Sequence, residues 1–327
     1  MNRITIPVLA AITAVLLCVA VPTPRAQTPP AADEIRALLS KVVTTGYANL
    51  LASLGDEFDN PATLSGWSIF SKAENWPNRI EKLDINATSK GSMYLLPLCG
   101  GWWKGFHGAY VYKTVEGDFM LQGRIMIKGK VGEIPAIKWN RGGLVVRRPG
   151  DMSAKPEERT ESIVHIMHGV DNNVKYVLYS GNVKDNVYDW TNFNIQNDKA
   201  IWIDLAIVRL GSAFATMYKL DGSDWVILKR MSRPDLPSKL QAGITGCAEP
   251  FNASYVWLNS STSIYDYNKE VLPTKYGPDV QVFVDYIRFK SPVPNEALRK
   301  ALMENIASTG ELSNDLLLEA IKKSFNL

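Results

Sequence analysis

The sequence predicts an all-β protein, a jelly-roll sandwich of two antiparallel sheets with short helical extensions at both ends. Three observations point there. Residues 209–225 form two consecutive hairpin patterns, turning at Leu210-Gly211 and again at Asp221-Gly222. Asp-Gly suits a turn that needs positive φ, because glycine has no Cβ to clash. The strand between the turns puts Phe214, Thr216 and Tyr218 on one face and Ala213, Ala215 and Met217 on the other. Second, many short strand-like runs follow one another between residues 55 and 291, separated by Gly, Asn, Asp and Pro. Third, no strand–helix–strand alternation and no internal repeat appears, which argues against a parallel sheet or a solenoid.

Taken from the N-terminus, residues 1–26 read as a secretory signal peptide. Arg3 precedes a mostly apolar run from Ile4 to Val21, and Pro22-Thr23-Pro24-Arg25-Ala26 supplies small residues near a cut after Ala26 or Ala20. The expectation is a secreted or periplasmic protein, without membrane attachment after cleavage. An uncleaved anchor is the alternative. The chain carries 36 Lys and Arg against 33 Asp and Glu, a net +3. The leader holds Arg3 and Arg25 and no acid, so its removal leaves +1. A nearly neutral chain gives no electrostatic reason to bind nucleic acid or an anionic membrane.

Residues 27–54 form a helical segment, with Ile35, Leu38, Leu39, Val42 and Val43 at helical spacing and a break at Thr44-Thr45-Gly46. The sandwich occupies residues 55–291. Its strand candidates are 67–70, 82–86, 92–98, 109–113, 118–127, 143–148, 161–168, 175–180, 201–210, 213–220, 225–231, 240–246 and 280–289. Two long connections, 149–159 and 249–278, are candidate binding edges or flaps. Pro292-Val293-Pro294 closes the β body, and residues 292–327 form a helical tail. Asn295 caps a helix carrying Leu298, Ala301, Leu302 and Ile306; Ser313 caps another carrying Leu316, Leu317, Leu318 and Ile321. The tail packs on an outer sheet face or on the N-terminal helix, or else it binds a partner.

Six motifs in this order carry a resemblance. They are Asp56-Glu57-Phe58-Asp59, Leu64-Ser65-Gly66-Trp67, Gly117-Asp118-Phe119-Met120-Leu121, Gly142-Gly143-Leu144-Val145-Val146-Arg147, the double hairpin, and Val284-Asp285-Tyr286-Ile287-Arg288-Phe289. The chain resembles the concanavalin A-like lectin/glucanase superfamily over roughly residues 55 to 291. Its pattern is similar to the sandwich domains appended to bacterial β-xylosidases and their stand-alone relatives. The resemblance implies two curved sheets, with a carbohydrate site on the concave one. It also implies a possible structural calcium ion near Asp56 or Glu57 and Asp285, since hard oxygen ligands suit that ion; no other cofactor is expected. Retaining glucanases of this fold carry acids at alternate strand positions, which puts two carboxylates on one face. No such run occurs here. Glu116 and Asp118 sit at a turn, and Glu157-Glu158 are adjacent.

The candidate site residues follow from chemistry. Trp102 and Trp103 lie in a glycine-rich segment ending at Phe106-His107. Flat aromatic rings stack on sugar faces, and the alternative is that one ring plugs the core. Trp139 and Trp190 are similar loop-edge aromatics, whereas Trp67, Trp202 and Trp225 fit packing. His107, Trp190 and Arg147 complete the expected glycan contacts. His165 and His168 are candidate catalytic bases, with Tyr110, Tyr176 or Tyr179 as partners and Arg147 or Arg148 to neutralise a uronate. In a regular strand the two histidines point to opposite faces, which disfavours a shared metal. Arg141, Arg147 and Arg148 otherwise read as a solvated basic edge. Cys99 and Cys247 either pair or stay buried thiols, and neither has the surroundings of a catalytic cysteine. The leading expectation is a carbohydrate-interacting protein whose partner is a polysaccharide or glycoconjugate. The alternatives are a glycoside hydrolase or polysaccharide lyase of the same fold, and an assembly protein acting through its helical ends.

Overall fold

The computed structural model describes residues 32–171, 173–195, 197–248, 263–270, 279–308 and 312–327. The expected leader, 1–26, and most of the connection 249–278 lie outside them. Two seven-stranded antiparallel sheets pack face to face, as the jelly-roll sandwich expected from the sequence. Sheet I runs β1 (Ser68–Ile69), β4 (Ala109–Glu116), β13 (Lys239–Cys247), β6 (Arg141–Arg147), β7 (Ile163–Val170), β8 (Tyr176–Lys184) and β9 (Val187–Asn194). Sheet II runs β12 (Val226–Ser232), β11 (Ala213–Leu220), β10 (Trp202–Leu210), β5 (Phe119–Lys128), β14 (Gln281–Lys290), β3 (Met93–Pro97) and β2 (Ile80–Ile85). The described helices are α1 (Ala32–Leu39), α2 (Phe70–Glu74), α3 (Ile264–Asn268), α4 (Glu296–Ser308) and α5 (Asn314–Ser324).

The double hairpin forms as β10, β11 and β12, with Gly211 and Gly222 both at positive φ. Period-two alternation then decides what each strand buries. Phe214 and Tyr218 enter the core between the sheets, with Leu205, Ile207, Ile125, Leu144, Ile166 and Val284. Ala213, Ala215 and Met217 face the other way. There, with Ala206 and Val208, they meet Leu298, Ala301, Leu302 and Ile306 of α4 and Leu317, Ala320 and Ile321 of α5. Ile35 and Leu39 of α1 complete this second core. Alanines on the sheet let helices approach closely, and each fully buried Leu or Ile contributes roughly 1.5–3 kcal/mol. Asn295 and Ser313 cap the tail helices, accepting from the backbone N–H of Leu298 and Leu316. The tail thus covers the outer face of sheet II.

Three local readings differ from expectation. The N-terminal helix stops at Leu39. Beyond it Asn49 donates to the Phe289 carbonyl and accepts from the Ser291 N–H, which ties the chain to the end of β14 instead of continuing a helix. The first strand keeps only Ser68–Ile69 before α2, which ends on Asn75 in the left-handed region. Strand β9 was missing from the candidates. It is a largely exposed edge strand, so it lacks the apolar alternation of a buried one. Its signal was the turn: Asp185 and Asn186 both take positive φ, as a two-residue hairpin loop requires.

Candidate functional site

Among the described residues the outer face of sheet I carries loops and the short α2, whose Phe70 packs on Trp102 and Tyr110, where sheet II carries three helices. Strand register lines up its side chains. Gly143, Met167 and Tyr179 are neighbours on one row across β6, β7 and β8. Val145, His165, Gly181 and Trp190 occupy the next row, ending on β9. The third holds Arg147, Ile163, Val183 and Tyr188. Over this face the loop 101–106 and Trp139 close a cavity of about 250 Å³. Small-molecule sites start at about 300 Å³, so this cleft suits a small group or one unit of a chain.

The cleft is lined almost wholly by aromatic rings. Trp190, 47% exposed, stacks on Tyr179 with centroids 5.1 Å apart and planes 12° apart. Trp102, Trp103, Phe106, Trp139 and Tyr188 supply the remaining rings, and Met167, Cys247 and Arg141 fill the gaps. Trp103 packs on Phe106 at 5.5 Å. Trp102 is buried and donates from Nε1 to Thr245 Oγ1 at 2.7 Å, so it presents a fixed edge. Trp139 sits at φ 65°. A bulky side chain in that region is strained, and such strain gathers at functional sites.

His165 lies behind the rings. It is fully buried, nearly parallel to Tyr179 at 6.2 Å and to Tyr188 at 6.0 Å. Gly181 makes its room: a Cβ there would stand 2.5 Å from Nε2. Burial, with help from Arg141 and Lys229, pushes its imidazole down to about 3, so it is neutral. His168 points the opposite way, into the core, with Nδ1 2.7 Å from the Tyr176 hydroxyl. Burial pushes it down to about 3 as well. The expected histidine–tyrosine partnership therefore forms, but between the sheets and away from the cleft. Burial also pushes the Cys247 thiol and the Tyr188 phenol up.

The other two expected glycan contacts are placed elsewhere. Arg147 is 1% exposed and does not line the cleft. It holds Glu74 through two bonds of 2.5 and 2.8 Å and Glu161 through two of 2.6 Å, and it also donates to Gln241 at 2.8 Å. His107 stands 3.0 Å from Glu161, with Nε2 toward the carboxylate, which accepts the proton bond. Burial opposes the charge on Glu161, but Arg147 and His107 outweigh it and hold the carboxyl at about 2. Glu74 is lowered by the same balance, burial against Arg147. Burial lowers His107, and its contact with the Glu161 carboxylate works against that shift. Two carboxylates clamped on one guanidinium are not available as an acid and base for sugar hydrolysis. Their work is to tie α2, β6, β13 and the entry to β7 together. A buried group with satisfied partners is the form such charges take in proteins.

The basic edge expected at Arg141, Arg147 and Arg148 therefore divides. Arg147 is internal, Arg148 pairs with Asp185 at 3.0 Å, and Arg141 enters the cleft between Trp139 and Tyr179. The expected calcium ligands do not fit an ion as placed. Asp56 accepts from Trp67 Nε1 and from the Phe58 N–H; Glu57 is bidentate to Arg288; Asp285 faces Arg124 at 3.8 Å. Among the described residues no three His, Cys, Asp or Glu side chains gather for a metal. Asp118 accepts from the Gly211 N–H and is salt-bridged to Arg299, fastening α4 to the hairpin. Cys99 and Cys247 are both buried thiols. Tyr179, Tyr188 and Arg141 were not among the expected glycan contacts, because only strand register brings them to the tryptophans.

No family model matches the chain, and no curated protein matches it. Solved structures do. A functionally unknown protein from Saccharomyces cerevisiae is 12% identical, with TM-score 0.44, over 66% of this chain and 95% of that one. A Bacillus licheniformis beta-glucanase is 13% identical, with TM-score 0.40, over 72% and 97%. The GH43 BlXynB protein from Bacillus licheniformis is 10% identical, with TM-score 0.46, over 72% of this chain and only 39% of its own length. No activity passes from these proteins to this chain, whose fold is read from its own two seven-stranded antiparallel sheets.

Proposed function

We propose that this protein binds a glycan in the aromatic cleft of sheet I and does not cleave it. One observation carries the reading: the cleft is walled by aromatic rings, with half-exposed Trp190 stacked on Tyr179, and no carboxylate lines it among the described residues. Stacking needs flat apolar faces with few fixed polar groups, which is what the lining offers. Hydrolysis needs two carboxyl groups flanking the scissile bond. The buried acids Glu74 and Glu161 are held by Arg147 instead. A lyase needs an accessible base, and both sheet histidines are fully buried. With the leader expected over residues 1–26, the reading is of a protein acting outside the cell or in the periplasm, and it needs no cofactor.

The test is incubation with a panel of polysaccharides, followed for retention, new reducing ends and unsaturated uronates. Retention on at least one polymer with neither product signal is expected. Product formation would overturn the binding reading in favour of an enzyme, and absence of all retention would remove the glycan altogether.

A further inference from the structure

Resting on the glycan reading, we infer that the cleft selects an acidic sugar, one bearing a carboxylate or a sulfate, and that Arg141 is its anion contact. Arg141 is the one charged side chain lining the cavity among the described residues. Its guanidinium carbon lies 4.0 Å from the ring centroid of Tyr179 and 5.0 Å from that of Trp139. Packing between two rings fixes the plane of a guanidinium without using its N–H donors. Its Nε is buried and has no hydrogen-bond partner. No acid forms a salt bridge with it among the described residues, whereas Arg147 on the same strand holds two and Arg148 just beyond holds one.

A buried donor without an acceptor is unfavourable, and an anionic acceptor relieves it more strongly than a neutral one. Half-exposed Trp190, backed by Tyr179, offers its ring to the apolar face of a sugar on the same side of the sheet. Lys104 adds a second cation at the rim: it is exposed, and its Nζ lies 4.8 Å over the Trp103 ring. An acidic oligosaccharide thus meets stacking surface and positive charge together. A neutral one meets the stacking alone and leaves Arg141 without a counter-charge.

The experiment compares trigalacturonate, a sulfated heparin trisaccharide and neutral cellotriose by calorimetry and by Trp fluorescence. The whole protein is used, as wild type, Arg141→Gln and Arg141→Lys. At least one acidic trisaccharide is expected to bind about tenfold or more tightly than cellotriose. That advantage vanishes in Arg141→Gln, which binds the acidic trisaccharide no more tightly than cellotriose, survives in part in Arg141→Lys, and shrinks as salt is raised from about 50 to about 500 mM. Binding of trigalacturonate assigns a carboxylate, and binding of the heparin trisaccharide alone, which carries carboxylate as well, assigns the sulfate. If cellotriose binds as tightly as both acids, and Arg141→Gln changes none of them, the acidic preference is wrong while the glycan reading stands. If no trisaccharide binds the wild type, both fall. Thermal midpoints of the variants matching wild type keep a folding defect from imitating the first result, and the lysine variant decides if the glutamine variant unfolds.

Discussion

The two sheets finish their outer faces in opposite ways. Sheet II presents Ala206, Ala213, Ala215 and Val208, and three helices lie on them. Sheet I presents Tyr179, Tyr188 and Trp190, with Arg141 among them, and over this cleft the loop 101–106 lies in place of a helix. Small side chains close a face by letting backbones approach, whereas large flat ones leave a cleft between rings. The same sandwich thus carries a scaffold face and a receptive face, and side-chain size on alternate strand positions separates them. Within sheet I the contrast repeats: the Glu74–Arg147–Glu161 cluster is internally satisfied and sealed, while Arg141, on the same strand as Arg147, keeps an unpaired buried N–H.

The largest expected effect breaks the sealed cluster. Arg147→Met leaves two buried carboxylates unpaired and should cost about 3–5 kcal/mol of stability in denaturant unfolding. A loss under about 1 kcal/mol would mean that the cluster does not hold the sheet together. Next is the scaffold face. Leu302→Ala in α4 should cost about 2–5 kcal/mol and leave glycan affinity unchanged in the folded protein; altered affinity would join two faces that the structure separates. On the receptive face the pattern reverses. Trp190→Ala should weaken glycan binding about tenfold or more, about 1.4 kcal/mol, and move stability by less than about 1 kcal/mol.

The gentlest probe is pH. Unfolded imidazoles take a proton near 6.5, but His165 and His168 stay neutral in the fold until about 3. The unfolded state binds more protons across that window, so stability should fall as pH falls from 6.5 toward 3, with a slope of up to about 1.4 kcal/mol per pH unit for each histidine. Glu161 adds to the loss lower down, because its stabilisation is complete above 4.5 and disappears as pH falls toward 2. His168→Phe should flatten the upper part of the curve in chemical denaturation. An unchanged slope would mean that His168 is not the group taking up the proton.

Much of this fold was legible locally. Alternation in residues 213–218 gave both faces of β11, and the caps at Asn295 and Ser313 gave the tail helices. Trp102, Trp103 and Trp190 stood out because large rings beside glycines or polar residues need a reason to be there. What was not legible depends on register and distance. Glu74 and Glu161 lie 73 and 14 residues from Arg147, and only the assembled sheet brings them to one guanidinium. The same is true of Arg141, which looked like a solvated edge until Trp139 and Tyr179 closed around it. Strand β9 was missed because exposure removes the apolar pattern, although Asp185-Asn186 marked its turn.

The most direct measurement is affinity electrophoresis of three folded proteins, wild type, Trp190→Ala and Leu302→Ala, through gels containing neutral and acidic polysaccharides. Retardation of wild type and Leu302→Ala by at least one polymer, with Trp190→Ala running free, is the expected result. Equal mobility of all three in every gel, or equal retardation of all three, would contradict a glycan site on the aromatic face of sheet I.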